Sequence, residues 1–196
     1  MLRRPACANS HHRLLNRDAS AFALAQGSRY TSKEEVLFTV DWGYYTPGQH
    51  EYLLDRWVRK SKGPDATIKS FYGLGGVVQH RMFPRSTRTP DGLWWAVRDT
   101  ETAESAADDA LDQIAAVLSR CEGFADRDTL LAAIGTSRWG WRQDAGIVLA
   151  EAGPSDELDA LLDAYLAGTK ERALPSARRN IEWIQGFAEQ SAQTTG

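Results

Sequence analysis

The chain has 196 residues, 42% of them hydrophobic and 25% charged, which is ordinary for a globular protein and long enough to bury a core without covalent staples. Its two cysteines, Cys7 and Cys121, make neither a disulfide framework nor a zinc pattern, and no stretch approaches the roughly 20 apolar residues a membrane helix needs, so a cytoplasmic protein without metal, cofactor or membrane partner is expected. The net charge of −3 hides an asymmetry: residues 1–98 carry 15 Lys/Arg and 8 Asp/Glu, residues 99–196 carry 8 and 18.

Residues 1–18 show no periodicity and are expected to be an irregular or truncated N-terminal segment. Ser20 to Gln26 fits a short strand. Val36 to Trp42 is the strongest strand, rich in β-branched and aromatic residues, with Val36, Phe38, Val40 and Trp42 on one face and Leu37, Thr39 and Asp41 on the other. Gly43 is expected to mark a bulge or bend, and Thr46-Pro47-Gly48 a turn. His50 to Lys60 spaces Leu53, Leu54, Trp57 and Val58 as a short helix would. Ser61 to Asp65 is a break. Ala66 to Phe71 and Val77 to Phe83 read as strands separated by the glycines Gly73, Gly75 and Gly76. Pro84 to Gly92 is a polar loop, and Leu93 to Arg98 a strand whose tryptophans point to opposite faces.

From residue 99 the hydrophobic period changes from two to 3.6. A helix capped by Thr100 or Thr102 is expected to run to about Arg120 on a stripe of Ala107, Leu111, Ile114 and Leu118. Asp126 caps the next, which Gly135 ends. Another covers about Arg142 to Ala152, Ser155 opens a fourth that stops at Gly168, and Pro175 fits the first turn of the last. Residues 191–196 are expected to be a disordered tail. Strands first and helices later give an α+β class: an antiparallel sheet of four to five strands followed by four to five short helices, in a single domain over 19–190 with its sheet part at 19–98 and its helical part at 99–190.

Chemistry is sparse. There is no phosphate loop, dinucleotide fingerprint, nucleophile elbow or HExxH pattern. Gly73-Leu74-Gly75-Gly76 precedes a strand rather than a helix, so a bend explains it better than a phosphate cradle. Asp41 and His80 lie in different strands. Were those strands neighbours, the carboxylate would orient the imidazole as a base, and the chain would be a small hydrolase or nuclease. The competing expectation is a polar outer sheet face with cross-strand hydrogen bonds. The basic residues Lys60, Lys62, Lys69, Arg81, Arg85, Arg88 and Arg98 accompany Tyr72, Trp94 and Trp95, a combination that can hold phosphates and stack bases, although a pI near 5.8 argues against nucleic acid as the partner.

Three stretches carry a resemblance: Gln26-Gly27-Ser28-Arg29-Tyr30, then Phe38-Thr39-Val40-Asp41-Trp42-Gly43-Tyr44-Tyr45, then His80-Arg81-Met82-Phe83 followed by Asp91-Gly92-Leu93-Trp94-Trp95. In order and spacing they resemble the bacterial domain-of-unknown-function family numbered 4304, over about residues 20–190. The resemblance implies the same α+β fold and no assigned activity. The chain departs from the family pattern in three ways. It lacks a helix and strand ahead of the first motif, it has Asp41 where Asn is usual, and it has no glycine after His80-Arg81. Together these readings give a non-catalytic domain, immunity- or accessory-like by analogy, that holds a protein partner through Trp57, Arg81, Arg85, Arg88 and Trp94.

Overall fold

A computed structural model of the chain describes residues 11–14, 20–28, 30–56, 77–136 and 141–195. The α+β class is borne out: a five-stranded antiparallel sheet accompanies helices that lie mostly in the C-terminal half. By its internal contacts the chain falls into two compact units. One comprises Met1–Tyr44 with Gln79–Gly123, the other Tyr45–Val78 with Phe124–Gly196.

The first unit holds the sheet. Strand β1 (His11–Leu14) pairs antiparallel with β2 (Ser20–Gly27), His11 opposite Ala23, so the segment expected to be irregular contributes an edge strand. Strand β3 (Val36–Tyr45) is central; it neighbours β2 and β4 (Val78–Met82) and also pairs with β5 (Trp95–Val97) in the register Val36↔Val97, Leu37↔Ala96, Phe38↔Trp95. β3 runs unbroken through Gly43, where a bend was expected, and from Leu37 to Tyr45 its residues are buried or half-buried on both faces. A central strand covered on both sides does not alternate, so the polar face expected at Leu37, Thr39 and Asp41 is absent.

The helix of this unit, α2 (Thr100–Glu122), packs on β5. Its N-cap is Asp99. The Asp99 carboxylate accepts from the Thr102 N–H at 2.8 Å, and the Thr102 hydroxyl answers the Asp99 N–H at 3.0 Å. Thr102 is thus the third-residue partner of a reciprocal cap rather than the cap itself. The buried face also differs from the expected stripe. Ala106, Asp109, Ala110 and Cys121 point inward, whereas Leu111 is 62% exposed. Apolar counting alone chose Leu111; the face is set instead by a buried carboxylate.

The second unit is helical. Helix α1 (Pro47–Arg56) begins where a turn was expected, because Thr46 caps it through Gln49 N–H at 3.3 Å and Pro47 has no N–H to leave unpaired. The expected extension of this helix beyond Arg56 lies outside the described residues, as do Trp57, Lys60, Lys62, Lys69, Tyr72, the Ala66–Phe71 strand and the glycines Gly73 to Gly76. Four further helices follow: α3 (Arg127–Gly135), capped by Asp126 as expected; α4 (Trp141–Ala150); α5 (Asp156–Ala167), capped by Ser155; and α6 (Leu174–Thr195). α6 carries Pro175 in its first turn and continues to Thr195, into the stretch expected to form a disordered tail. Leu130, Ile134, Ile147, Leu158, Leu162 and Ile184 are buried and form the core of this unit. A polar seam crosses it. Asn180, buried, accepts from the Tyr52 hydroxyl at 3.0 Å and donates to Gln143 Oε1 at 2.6 Å and to the Tyr165 hydroxyl at 3.2 Å. Gly48 N–H donates to Glu151 at 2.7 Å, and a Cβ on Gly48 would sit 2.8 Å from that carboxylate and from the Phe187 ring.

Candidate functional site

The chemistry-bearing residues of the first unit collect around the segment from Arg81 to Trp95, and its organising group is Asp109. The carboxylate of Asp109 is only 8% exposed. Oδ2 accepts from the backbone N–H groups of Arg85 at 2.6 Å and Ser86 at 3.0 Å, and from the indole Nε1–H of Trp95 at 3.1 Å. Oδ1 accepts from Arg85 Nε at 2.7 Å and from Gln113 Nε2 at 2.9 Å. Burial by itself would raise this carboxyl. The Arg85 side chain, Gln113 and the two backbone N–H groups outweigh that effect and hold it far below the usual carboxylate range, so it stays ionised.

The result is a pinned loop. Gln113 also donates to the Phe83 carbonyl at 3.1 Å, and Ser86 Oγ donates to the Ser105 carbonyl at 3.0 Å. The Thr89 hydroxyl pairs with Asp91, which also receives Leu93 N–H at 3.0 Å. Within this loop Thr87 has a φ of +42°, a left-handed conformation that a β-branched residue rarely adopts, and its buried hydroxyl has no hydrogen-bond partner. The loop is therefore held in a locally unfavourable shape by the contacts around it.

The same segment presents its outer side chains to solvent. Phe83 is 53% and Leu93 44% exposed. Arg81 joins Asp41 through Nε at 3.0 Å, and its guanidinium lies over the Trp94 ring at 5.8 Å from the centroid. Arg88 is exposed, and its backbone bridges to Trp95. Of the residues expected to form a binding surface, Arg81, Arg88 and Trp94 thus come together on one segment. Arg85 belongs to it differently: its Nε holds Asp109 while the rest of the side chain stays exposed, and Trp57 lies outside the described residues.

Asp41 and His80 are not brought together. Asp41 meets Arg81, while the residue after Asp41 and the residue before Arg81, Trp42 and His80, meet one another with ring centroids 5.4 Å apart. Successive side chains of a strand point to opposite faces, so the carboxylate and the imidazole lie on opposite sides of the sheet. Burial first, and the charge of Arg120 second, lower the His80 pKa; its buried Nε2 has no hydrogen-bond partner. Among the described residues no carboxylate is shown orienting this ring as a base. Of the proposed phosphate-binding cations among the described residues, Arg81, Arg85 and Arg98 are each paired with a carboxylate: Asp41, Asp109 and, at 2.6 Å, Glu35.

Beside the loop lies an open depression of about 600 Å³, lined by Arg85, Ser86, Glu101, Glu104, Asp108 and Asp112 among others. Among the described residues no group of three or more His, Cys, Asp or Glu is placed to hold a metal ion, and no helix is long and apolar enough to cross a membrane. Asp109 itself escaped the sequence reading. It stands in an acidic run, Asp108, Asp109 and Asp112, that reads as a solvated helix face. The available signal was its spacing from Ala106, Ala110 and Gln113, which share its side of the helix.

The fold and the site define an α+β domain that presents a pinned, partly apolar loop from a sheet. Comparison with family models, with curated proteins and with solved structures finds no match to the chain.

Proposed function

We propose that the protein is a non-catalytic interaction domain of bacterial, cytoplasmic type, related to family 4304, which holds a protein partner on the segment from Arg81 to Trp94. One observation carries the reading: Phe83 and Leu93 stand exposed on a loop whose backbone Asp109 fixes from within. Large apolar side chains on a rigid loop cost water contact and lose little entropy on binding, which suits a recognition surface. Arginine and tryptophan beside them match the residue types that dominate binding energy in protein interfaces. The reading also draws support from the acids and bases of this unit. Asp41 and Asp109 are engaged by arginines, and His80 packs on Trp42.

Site-specific photo-crosslinking tests the proposal. A photoreactive phenylalanine analogue at position 83 or 93 is expected to capture one protein species from a cell extract. Excess unlabelled protein should suppress that capture, and the same analogue at Leu111, more exposed still on α2, should give none. Equal labelling at all three positions, or none at 83 and 93, overturns the reading.

A further inference from the structure

The geometry points to a defined receptor within that surface: the outer edge of the Arg81 guanidinium, oriented by Asp41 and backed by Trp94, takes a carboxylate of the partner protein. A guanidinium offers five N–H donors in a fixed plane. Arg81 directs Nε to Asp41, at 3.0 Å. This fixes the plane and leaves the end-on edge, one N–H from each terminal nitrogen, outside the Nε contact, and that edge matches the two oxygens of a carboxylate. The Trp94 ring, 5.8 Å from the guanidinium carbon, supports that plane from one side. The side chain of Arg81 is 42% exposed while that of its partner Asp41 is 11% exposed, so the anchored end is inside and the free edge is outside. An arginine already held in one orientation loses less rotamer freedom on binding than a free one.

Charge selects the ligand class. Asp41 neutralises much of the charge of Arg81, so the receptor suits a planar monoanion better than a phosphate dianion. Arg98 provides the internal contrast. It too is exposed and paired with a carboxylate, Glu35, but no aromatic ring backs it among the described residues.

This inference rests on the interaction reading, and its test needs no partner. Isotope-labelled protein is titrated with sodium acetate, and separately with inorganic phosphate, at constant ionic strength. The guanidinium Nε–H signals and the Trp94 indole signal are followed. Acetate is expected to move the Arg81 and Trp94 signals saturably, at concentrations about tenfold below those that move Arg98. Phosphate should bind more weakly than acetate. Arg81→Lys removes the paired edge and should abolish the saturable response. Trp94→Leu leaves the Arg81–Asp41 pair intact and should weaken acetate binding severalfold while the Arg81 Nε–H signal keeps its protected position. Parallel responses at Arg81 and Arg98, or tighter binding of phosphate, overturn the inference. If either occurs while Phe83 and Leu93 still crosslink one partner, the interaction reading stands and only the carboxylate receptor falls.

Discussion

Replacing Asp109 with Asn gives the most direct test of how the loop is held. Asn is nearly isosteric but keeps a single acceptor oxygen and turns the other position into a donor. In the wild type both oxygens face donors: Arg85 N–H, Ser86 N–H and the Trp95 indole at one, Arg85 Nε and Gln113 at the other. Either orientation of the amide therefore leaves at least two donors facing N–H groups. Removing one partner of a buried ion pair costs about 3–5 kcal/mol. The Arg85 side chain is 62% exposed and regains water, so the lower end applies and Asp109→Asn is expected to cost about 3 kcal/mol, carried by the backbone N–H groups and the indole. Urea denaturation should show an earlier midpoint with an unchanged slope. The Trp95 indole proton, lacking its acceptor, should shift and exchange faster. The pH dependence has a definite sign. The folded-state carboxyl lies below its unfolded value, so its contribution is complete above about pH 4 and declines as pH falls below that. The Asn variant should lack that acid-side decline. Leu111→Ala on the same helix is the control, expected to stay within about 0.5 kcal/mol of wild type. A stability change that small for Asp109→Asn, with the Trp95 signal unmoved, would refute the pinned-loop account.

Three further outcomes concern the helical unit. Burial pushes the Asp144 carboxyl up to about 8, so the wild type carries a handicap that is absent below pH 4, grows with pH and is complete above about pH 8. Asp144→Asn should raise the thermal midpoint at pH 9 and leave it unchanged at pH 4, with a gain of about 1–3 kcal/mol after allowance for its partial exposure; an equal effect at both pH values would exclude titration of this group. Asn180→Ala should cost about 2 kcal/mol by removing the acceptor of the Tyr52 hydroxyl and the donor to Gln143, and a double-mutant cycle with Tyr52→Phe should return a coupling above about 0.5 kcal/mol. Gly48→Ala, which forces a methyl against Glu151 and Phe187, should cost about 1–3 kcal/mol in urea denaturation, and a neutral result would mean both side chains swing aside freely.

Element types were legible where a local signal sufficed. Asp126 and Ser155 cap the helices they were expected to cap, and the β-branched run at Val36 forms the central strand. What failed required tertiary knowledge. The edge strand His11–Leu14 has no hydrophobic pattern of its own and exists through pairing with Ser20–Gly27. The buried face of α2 was misread by one residue, because a helix is sided by whatever the rest of the fold places against it. Here that is an indole and two backbone N–H groups, and they require an acceptor. The expected division of one domain into a sheet part and a helical part at residue 99 follows secondary structure alone. The change of period at residue 99 is real, but α2 belongs with the sheet, so a change of secondary structure did not coincide with a change of compact unit.

The two buried carboxylates show why sequence composition pointed toward chemistry where the geometry supports recognition. Asp41 and Asp109 both face arginines, in opposite arrangements. Asp109 gathers its donors inward: the charge of Arg85 and the dipoles around it hold a strained loop, with Thr87 at positive φ, in one shape. Asp41 engages only the Nε of Arg81 and leaves the rest of that guanidinium half in solvent over Trp94. A hydrolytic dyad requires a carboxylate to orient an imidazole, and alternation along β3 and β4 sends Asp41 and His80 to opposite faces. No rotamer change repairs that, since only a one-residue slip of register would bring the pair to one face. Such a slip would also separate Asp41 from Arg81 and Trp42 from His80. The packing that maintains the register is therefore the packing that keeps the candidate base from its carboxylate and holds Arg81 in the orientation on which the proposed receptor depends.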